Sequence, residues 1–405
     1  MKVQNKVPKI FKIFDPNMIL LDYHHLKFFW LMVYLRIKKY YYTNKPSTKG
    51  SLFFMSNHEG RRDPIIILAA YVFKRIRVLG TSALFHNLPS KYFYTIVGIL
   101  KVNKDTLNRK LIKKMYKTIR YGHSIGVFPE GHLNHSYLIN DFQPGLVKMA
   151  MSTNTDILSM YINHENRHFL RQRVLIGKRF CINDLVNPGI GERENAQTIN
   201  EYLKNHLQEL KDYFYEKILF SSYKDVNIYL LHNDRKIDFN VKLPLNITDH
   251  INQYNNQHTK NMSLRAWQYL SYILNKYHNK DINQDAISFI KDKPFFSSGD
   301  IYFNISHTSD MVAIIIGKHE VAIDIEMIDN NSQIVAAISK LYPKIIIEKK
   351  STSYLFKLFT QYEVRIKNGI VSNKCKIISK EFICGKNLYM VSFHSKTKTV
   401  DIQKK

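Results

Sequence analysis

The segments Phe303-Asn304-Ile305-Ser306-His307-Thr308 and Ile323-Asp324-Ile325-Glu326 decide the fold of the second half of this chain. The first segment predicts a polar loop of the size that holds a phosphate. The second predicts a β-strand with both carboxylates on one face and both isoleucines on the other. Such carboxylates suit Mg²⁺, which takes one or two of them together with waters and a substrate phosphate. The alternative interpretation is a strand edge with two solvated acids.

A second pair of charged residues follows in the stretch Phe359–Lys367. Glu363 and Lys367 are four residues apart, so they share one face of a predicted helix. This spacing alone is typical of a surface ion pair. The chain order favours a site, because the paired carboxylates of the strand come first and the acid and base of the helix follow.

Together these segments resemble the surfactin-type 4′-phosphopantetheinyl transferases, which carry a Ser-His loop, an Asp-x-Glu strand and a Trp-x-x-Lys-Glu-Ala-x-x-Lys helix. Upstream, Leu264-Arg265-Ala266 is expected to open a helix, and Lys293-Pro294 stands where the family has Gly-Lys-Pro. The resemblance covers roughly residues 226–405. Phe359 replaces the family's tryptophan, and Tyr362 replaces the lysine before its glutamate.

The resemblance implies an enzyme that moves the phosphopantetheine arm of coenzyme A to a serine of an acyl carrier protein. It implies Mg²⁺ ligands at Asp324, Glu326 and Glu363, because such an ion neutralises charge on the transferring phosphate. Glu363, or a water that it holds, would take the serine proton, and Lys367 would contact the pyrophosphate. The residues expected to bind coenzyme A are Arg265, Lys293, Ser306, His307 and Lys367.

The front half has a different arrangement around Ser56-Asn57-His58-Glu59-Gly60-Arg61-Arg62-Asp63-Pro64. Apolar runs on both sides predict a strand, a loop and a helix, with Asp63 as N-cap and Pro64 at the first helical position. His58 would then lie beyond the carboxyl end of a strand, where α/β proteins build active sites. Ile125–Phe128 predicts another buried strand, and Pro129-Glu130-Gly131 predicts the turn that ends it.

This half resembles the glycerolipid acyltransferases, the family of 1-acylglycerol-3-phosphate acyltransferases, over roughly residues 20–220. The family's four motif blocks are matched in order by Asn57–Asp63, Gly98–Lys104, Phe128–Gly131 and Ile157–Ile162. The resemblance implies that His58 is a general base on an acceptor hydroxyl and that Asp63 orients and stabilises its imidazole. The hydroxyl would attack the thioester directly, so no serine nucleophile is required.

The same resemblance implies a catalytic role for Glu130 and acceptor binding by Lys104 and Gly131. Two positions depart from the family. Lys104 replaces an arginine, and so loses the fork that grips phosphate at two points. His132-Leu133-Asn134 replaces Thr-Arg-Ser, which removes a second arginine. These departures leave the thioester chemistry intact and disfavour lysophosphatidate as the acceptor.

The predicted architecture has two domains. Residues 1–221 are expected to form an α/β acyltransferase domain with a mixed sheet flanked by helices. Residues 222–405 are expected to form an α+β phosphopantetheinyl transferase domain of two pseudo-repeated halves. The boundary is placed near Ser221-Ser222. A helix opened by a capping box at Thr198 and Glu201 would precede it, and a strand over Val226–Leu231 would follow.

The chain has 405 residues and a formal net charge of +27, of which +18 lies in residues 1–220. No zinc-finger, helix-turn-helix or RNA-binding aromatic signature accompanies this charge, so nucleic acid is not an expected partner. The expected partners are anionic lipid headgroups, coenzyme A, an acyl thioester and acyl carrier protein. Cys181, Cys375 and Cys384 form no metal or CxxC pattern, which suits a reducing cytoplasm.

The segment Leu26–Tyr42 holds a short aromatic-rich apolar core, well below the roughly 20 residues needed to span a bilayer. We expect an amphipathic helix lying on the inner face of the membrane, with packing against the acyltransferase core as the alternative. The leading hypothesis is a bifunctional transferase with both activities. In the alternative hypothesis, only the phosphopantetheinyl transferase is active, and the first half docks to a membrane or a carrier protein.

Overall fold

The computed structural model describes residues 37–81, 85, 87–88, 91, 94–95, 98–102, 109–163, 172–235, 237, 242–283, 287–290, 293–329, 332–341, 351–368 and 377–395. Its internal contacts divide the chain into two compact units, Met1–Lys211 and Asp212–Lys405. This division falls within a helix, whereas the sequence placed the boundary at Ser221-Ser222.

Unit 1 is built on a mixed sheet. Its strands are β1 (Lys38–Tyr41), β2 (Phe53–Ser56), β3 (Ile76–Thr81), β4 (Leu100–Val102), β5 (Ser124–Val127), β6 (Ile157–Asn163) and β7 (Arg173–Phe180). Across the sheet the described strands follow the order β1-β7-β6-β2-β5-β3-β4. Only the pair β6 and β7 is antiparallel among them. The expected α/β domain with a mixed sheet is therefore confirmed.

Helices alternate with these strands. They are α1 (Asp63–Ala70), α2 (Arg109–Arg120), α3 (Gly145–Thr153), α4 (Ile182–Leu185) and α5 (Glu192–Tyr213), and a π-helical turn, Phe214–Ile218, follows the last. The central strands β2, β5 and β6 are buried along their whole length, as expected for strands covered on both faces. A Cβ atom at Gly126 would lie 2.9 Å from a Val78 methyl group, so this close packing requires glycine.

Two helix starts predicted for unit 1 are wrong. Helix α5 begins at Glu192, so Thr198 and Glu201 lie inside it and form no capping box. The helix and the following π-helical turn bury the apolar side chains of Ile199, Leu203, Leu207, Leu210, Phe214 and Ile218. Helix α1 begins at Asp63 with Arg62 as N-cap. Asp63 is therefore not the cap, because its carboxylate is turned back to the preceding loop.

Unit 2 contains two sets of elements whose three-stranded sheets have the same strand order. The first is β8 (Val226–His232), α6 (Leu245–Asn252), α7 (Gln257–His278), the hairpin β9 (Ile287–Ile290) and β10 (Lys293–Phe296), β11 (Tyr302–His307) and β12 (Met311–Gly317). The second is β13 (Val321–Met327), α8 (Ser332–Leu341), α9 (Thr352–Lys367), β14 (Ile378–Cys384) and β15 (Asn387–Ser395).

In each set a strand is followed by helices and then by two strands of the same sheet, and the last strand pairs antiparallel with the first. The first set has the hairpin β9–β10 in addition, between its helices and β11. The resulting three-stranded sheets have the orders β11-β12-β8 and β14-β15-β13. The predicted strand at Val226 is confirmed. Ser306 and His307 end strand β11 rather than forming a loop. Arg265 lies in the middle of α7, which begins at Gln257 and is capped by Asn256, so the predicted helix start is wrong.

The predicted interfacial segment Leu26–Tyr42 is described only at its end. Lys38–Tyr41 forms edge strand β1, paired parallel with β7, so this part is not helical. Its run of tyrosines suits a strand, because aromatic residues pack well on a pleated surface. Residues 26–36 lie outside the described part. None of the described helices is long and apolar enough to cross a membrane.

Candidate active sites

The first candidate site is the loop between β2 and α1, at the carboxyl edge of the unit 1 sheet. Asn57 anchors this loop to the neighbouring strand β6. Its side-chain amide donates to the carbonyl of Ile162 over 2.9 Å, and its side-chain carbonyl accepts from the Ile162 N–H over 2.8 Å. Both partners are buried, so the loop starts from a fixed point next to the end of β2.

His58 and Asp63 meet within this loop, with 2.9 Å between His58 Nδ1 and Asp63 Oδ2. The same carboxylate oxygen accepts the backbone N–H groups of Glu59 and Gly60, each over 2.9 Å. Asp63 is fully buried, whereas the side chain of His58 is 20% exposed. We assign the imidazole proton to Nδ1, because it faces a carboxylate oxygen. This tautomer leaves Nε2 as a proton acceptor.

Phe128, just after β5, supports the imidazole from one side. The two rings are stacked with 4.2 Å between their centroids. The ring of His58 is thus held by an aromatic face and by the carboxylate of Asp63. This arrangement can remove a proton from a hydroxyl group that approaches Nε2.

Glu130 is fully buried beside this loop, and burial raises its pKa. One carboxylate oxygen accepts the backbone N–H of His58 over 3.3 Å. The other accepts the side-chain amide of Asn134 over 2.6 Å and the N–H of Asn140 over 3.0 Å. Both oxygens of Glu130 thus accept hydrogen bonds within the protein, and one of them holds the backbone of His58. The catalytic role of Glu130 stays a prediction.

Gly131 and Lys104 are the two residues predicted to bind the acceptor. Gly131 has a φ of +74° and would bring a Cβ atom to 3.2 Å from the side chain of Gln143, so its glycine has a backbone reason. Lys104 lies outside the described residues. Asn134, in the segment that departs from the family motif, also donates its N–H to the carbonyl of His58 over 2.7 Å. This backbone contact ties the segment to the loop of His58.

The second candidate site lies in unit 2, where β13 and α9 meet. Lys367 donates to Asp324 Oδ1 over 2.7 Å, to the hydroxyl of Ser306 over 3.0 Å and to the carbonyl of Ile323 over 3.2 Å. Ser306 donates to the same Asp324 oxygen over 2.9 Å. The other oxygen of Asp324 is buried and accepts no hydrogen bond from the described residues.

Three carboxylates influence one another here. Burial, followed by the negative charge of Asp324, raises the pKa of Glu326 to about 8, and Glu363 contributes in the same direction. Burial and Asp324 also raise the pKa of Glu363. Carboxylate oxygens are the ligand type that Mg²⁺ takes, and one oxygen of Asp324 accepts no hydrogen bond from the described residues. Within the described part of the chain, no group of three or more such side chains is already set to hold a metal ion.

The residues predicted to bind coenzyme A have different surroundings in the structure. Burial lowers the pKa of His307, and the positive charge of Lys367 lowers it further. Lys293 reaches the side-chain carbonyl of Asn368 at 3.5 Å. Arg265 donates to the carbonyl of Asn233 over 3.3 Å and lies over the ring of Tyr269. Its contact with a phosphate stays a prediction.

Comparisons with known proteins concern the first unit. Residues 36–163 match the family model described as Acyltransferase. Unit 1 thus contains an acyltransferase-like α/β domain. The matched range includes His58, Asp63 and Glu130.

One relative is the 1-acyl-sn-glycerol-3-phosphate acyltransferase of Borreliella burgdorferi, 26% identical over 164 residues. The match covers 40% of this chain and 63% of the length of that protein. A similar solved structure is the 1-acyl-sn-glycerophosphate (LPA) acyltransferase PlsC from Thermotoga maritima, with a TM-score of 0.36 and 14% identity. That similarity covers 48% of this chain and 81% of the other.

Proposed function

We propose that unit 1 transfers an acyl chain from an acyl thioester to an acceptor hydroxyl. The observation that carries the proposal is the pair His58 and Asp63, at 2.9 Å, on the carboxyl edge of the sheet and inside the range that matches the acyltransferase family. The stacked ring of Phe128 and the hydrogen bonds of Glu130 hold the same loop. Each of these contacts limits the orientations open to the imidazole.

In the proposed reaction, Nε2 of His58 takes the proton of the acceptor hydroxyl while the hydroxyl oxygen attacks the thioester carbonyl carbon. Asp63 stabilises the imidazolium that forms. The carbon–sulfur bond then breaks, and the imidazolium returns the proton to the departing thiolate. The products are an ester and a free thiol, and His58 regains its starting state. A positioned general base of this kind typically supplies about 10²- to 10⁴-fold in rate.

The acceptor belongs to the lysolipids in this proposal, since the Borreliella protein is named for 1-acyl-sn-glycerol-3-phosphate. Leu133 stands at a family arginine position and its side chain is apolar. We therefore propose that neutral or zwitterionic acceptors compete well with lysophosphatidate. The donor is acyl-coenzyme A or an acyl carrier protein.

We also propose that unit 1 works at the cytoplasmic face of an anionic membrane. Helix α2 supports this, because the exposed residues Arg109, Lys113, Lys114, Lys117 and Arg120 are all basic. None of them forms an ion pair with a described carboxylate. Basic residues near an anionic membrane contribute about 1 kcal/mol each.

The test is an acyl transfer assay with the purified protein, using palmitoyl-coenzyme A and palmitoyl carrier protein as donors. Acceptors are lysophosphatidate, lysophosphatidylcholine, lysophosphatidylglycerol and monoacylglycerol, each presented in anionic vesicles. New diacyl product and free thiol in equal amounts would support the proposal. If no donor and acceptor combination gives product, the docking-module alternative takes over for this unit.

A second function is favoured by a separate observation in unit 2. We propose that this unit transfers the 4′-phosphopantetheine arm of coenzyme A to a serine of an acyl carrier protein. The observation is the hydrogen-bonded set of Asp324, Lys367 and Ser306, in which Ser306 comes from the first set of elements and the other two from the second. The charge of Asp324 also raises the pKa of Glu326 and of Glu363. Bound Mg²⁺ would be held by the three carboxylates and would neutralise charge on the pyrophosphate.

The residues of the chain do the remaining work in this proposal. Glu363 takes the proton of the carrier serine, and its raised pKa suits a proton acceptor. Lys367 and His307 contact the phosphate oxygens of coenzyme A. Lys367 would leave Asp324 for the pyrophosphate when the carboxylate takes a metal ion. The carrier serine oxygen bonds to the β-phosphorus, and 3′,5′-adenosine bisphosphate departs.

The test is incubation of the protein with coenzyme A, Mg²⁺ and several apo carrier proteins, followed by intact-mass measurement. A carrier that gains the mass of the phosphopantetheine arm would support the proposal, and Asp324→Ala should abolish the gain. Asp249→Ala, at an exposed position of α6, is the matched control and should behave as wild type. Failure of every carrier to gain mass would contradict the assignment.

A further inference from the structure

Lys211, near the end of helix α5, is a buried cation next to the first candidate site. Its side chain is only 1% exposed, and its ammonium group lies 3.0 Å from Glu59 Oε1. It also donates to the carbonyl of Ser136 over 3.1 Å and lies near the rings of Tyr137 and Tyr161. Burying a charge is costly unless it is paired, so these contacts mark a specific arrangement rather than a solvated lysine.

Glu59 connects this lysine to the proposed catalytic pair. It follows His58 in the chain, and its N–H donates to the same Asp63 oxygen that faces the imidazole. Its carboxylate also accepts the side-chain amide of Asn57 over 3.2 Å. The ion pair with Lys211 therefore holds Glu59 in place. Glu59 lies between Asn57, which anchors the loop, and Asp63, whose carboxylate orients His58.

Lys211 also acts on the opposite side of the loop. Ser136, whose carbonyl accepts from Lys211, belongs to the segment in which Asn134 donates its N–H to the carbonyl of His58. The positive charge of Lys211 further lowers the pKa of Glu130 against the larger effect of burial. One ammonium group thus contacts or influences both segments that enclose the histidine.

We infer that Lys211 is a positioning residue for His58, acting through Glu59 and the Ser136 segment. This inference rests on the acyl transfer proposed for unit 1. Lys211 lies outside the range 36–163 that matches the acyltransferase family. Part of the geometry of the site is therefore supplied by the helix that ends unit 1 rather than by the matched motifs.

The experiment compares Lys211→Met, Glu59→Gln and the double variant with wild type. Methionine keeps much of the length of lysine without its charge. Lys204→Met is the matched control, because Lys204 lies on the same helix and pairs with the exposed acids Asp141 and Glu201. Melting curves establish that each variant is folded, and kcat and KM for the acyl thioester are measured separately.

We expect kcat to fall about 10²-fold in Lys211→Met, since small misplacements of a catalytic group have effects of that size. KM for the thioester should change little, and Lys204→Met should keep the wild-type kcat. Glu59→Gln should cause a similar loss, and the double variant should be no worse than either single variant, because both act through one pair. An unchanged kcat in folded Lys211→Met, or losses that multiply in the double variant, would overturn the inference.

The double variant decides the matter if Lys211→Met does not fold, because it removes both buried charges and leaves neither unpaired. Full wild-type kcat in the folded double variant would then reject the inference.

A readout without turnover separates this inference from the proposed function. In ¹⁵N-histidine NMR, with His58 identified by its loss in His58→Gln, wild type should show a single Nδ1–H tautomer.

Lys211→Met, or the double variant in its place, should show a mixture of tautomers at His58. If wild type transfers no acyl chain but the tautomer of His58 differs between wild type and the variant, the proposed function fails and the positioning role stands. If wild type is active and the tautomer stays unchanged, the positioning role fails and the proposed function stands.

Discussion

Lys367 donates to Asp324 over 2.7 Å and thereby joins the last residue of α9 to the middle of β13. The ammonium group of lysine is a compact positive charge, and here it lies against a carboxylate proposed as a metal ligand. The second oxygen of that carboxylate is buried and accepts no hydrogen bond from the described residues. In the proposed metal site, lysine and a divalent cation would therefore compete for the same side chain.

We expect Lys367→Met to bind Mg²⁺ more tightly than wild type while transferring the phosphopantetheine arm more slowly. Loss of the competing ammonium group should improve Mg²⁺ affinity about tenfold, equivalent to about 1.4 kcal/mol. Arm transfer should slow because the contact with the pyrophosphate is lost. Calorimetric titration and intact-mass time courses measure the two effects. Lys357→Met, at an exposed position of α9, is the control, and weaker Mg²⁺ binding in Lys367→Met would contradict the competition.

A second prediction concerns pH. Burial, Asp324 and Glu363 raise the pKa of Glu326 from 4.5 to about 8. A carboxyl group with a raised pKa in the folded state stabilises the fold fully below its unfolded pKa and loses that contribution as the pH rises through about 8. The melting temperature of unit 2 should therefore fall by several degrees between about pH 5 and pH 8 without divalent cations.

Glu326→Gln should flatten this dependence, since glutamine does not titrate. Melting curves of wild type and variant at matched ionic strength measure the difference. Mg²⁺ added at about pH 8 should restore stability in wild type and should have a smaller effect in the variant. Parallel curves for the two proteins would show that Glu326 is not the group responsible.

His58→Ala should lower acyl transfer about 10²- to 10⁴-fold, as expected for removal of a positioned general base. Labelling of a carrier protein from coenzyme A should continue at the wild-type rate, because the other candidate site is built from other residues. His135→Ala provides the comparison, since His135 is an exposed histidine of unit 1. Equal activity of wild type and His58→Ala with every productive acceptor would reject the general-base role.

Leu133→Arg tests the choice of acceptor. The leucine side chain is partly exposed, so arginine can replace it without being forced into the core. The guanidinium group would supply the bidentate phosphate contact that leucine lacks. We expect kcat/KM for lysophosphatidate to rise about tenfold relative to that for lysophosphatidylcholine. A strong preference of the wild type for lysophosphatidate would mean that another residue already provides this contact.

Glu130→Gln should lower stability more than a surface substitution would. Glutamine keeps the size of the side chain but turns one acceptor oxygen into a donor group facing N–H donors. Leaving such buried donors unsatisfied typically costs about 1–3 kcal/mol. Denaturant unfolding of unit 1 measures the change, and the structure predicts a moderate loss of kcat through displacement of His58. A stable variant with a complete loss of kcat would instead indicate that Glu130 takes part directly in catalysis.

The sequence predicted those parts of the fold that depend on local pattern. Alternation over Ile323–Glu326 predicted strand β13. The resemblance to the glycerolipid acyltransferases implied the contact of His58 with Asp63, which the structure shows at 2.9 Å. Both predictions depend on residues close together in the chain. Their backbone conformation and apolar neighbours already limit where the side chains point.

Other features depended on partners far along the chain. Ser306 and His307 were expected in a loop, but pairing with β12 extends strand β11 through both. Thr198 has the composition of a helix start, yet helix α5 continues upstream of it to Glu192. Lys211 was missed because its partner Glu59 is distant in sequence. Its one local signal is a lysine four residues after Leu207, on the buried face of an amphipathic helix.

Lys211 and the next residue, Asp212, form ion pairs in different units. Lys211 pairs with Glu59 of unit 1, whereas Asp212 lies 3.4 Å from the buried guanidinium of Arg235 in unit 2. Glu216, in the π-helical turn, pairs with the same arginine. A protease cut at Ser221 would therefore deprive the second fragment of both carboxylates and leave Arg235 with a buried charge. A fragment that begins at Ser222 should therefore unfold more easily than one that begins at Asp212, because only the longer fragment keeps both carboxylates beside Arg235.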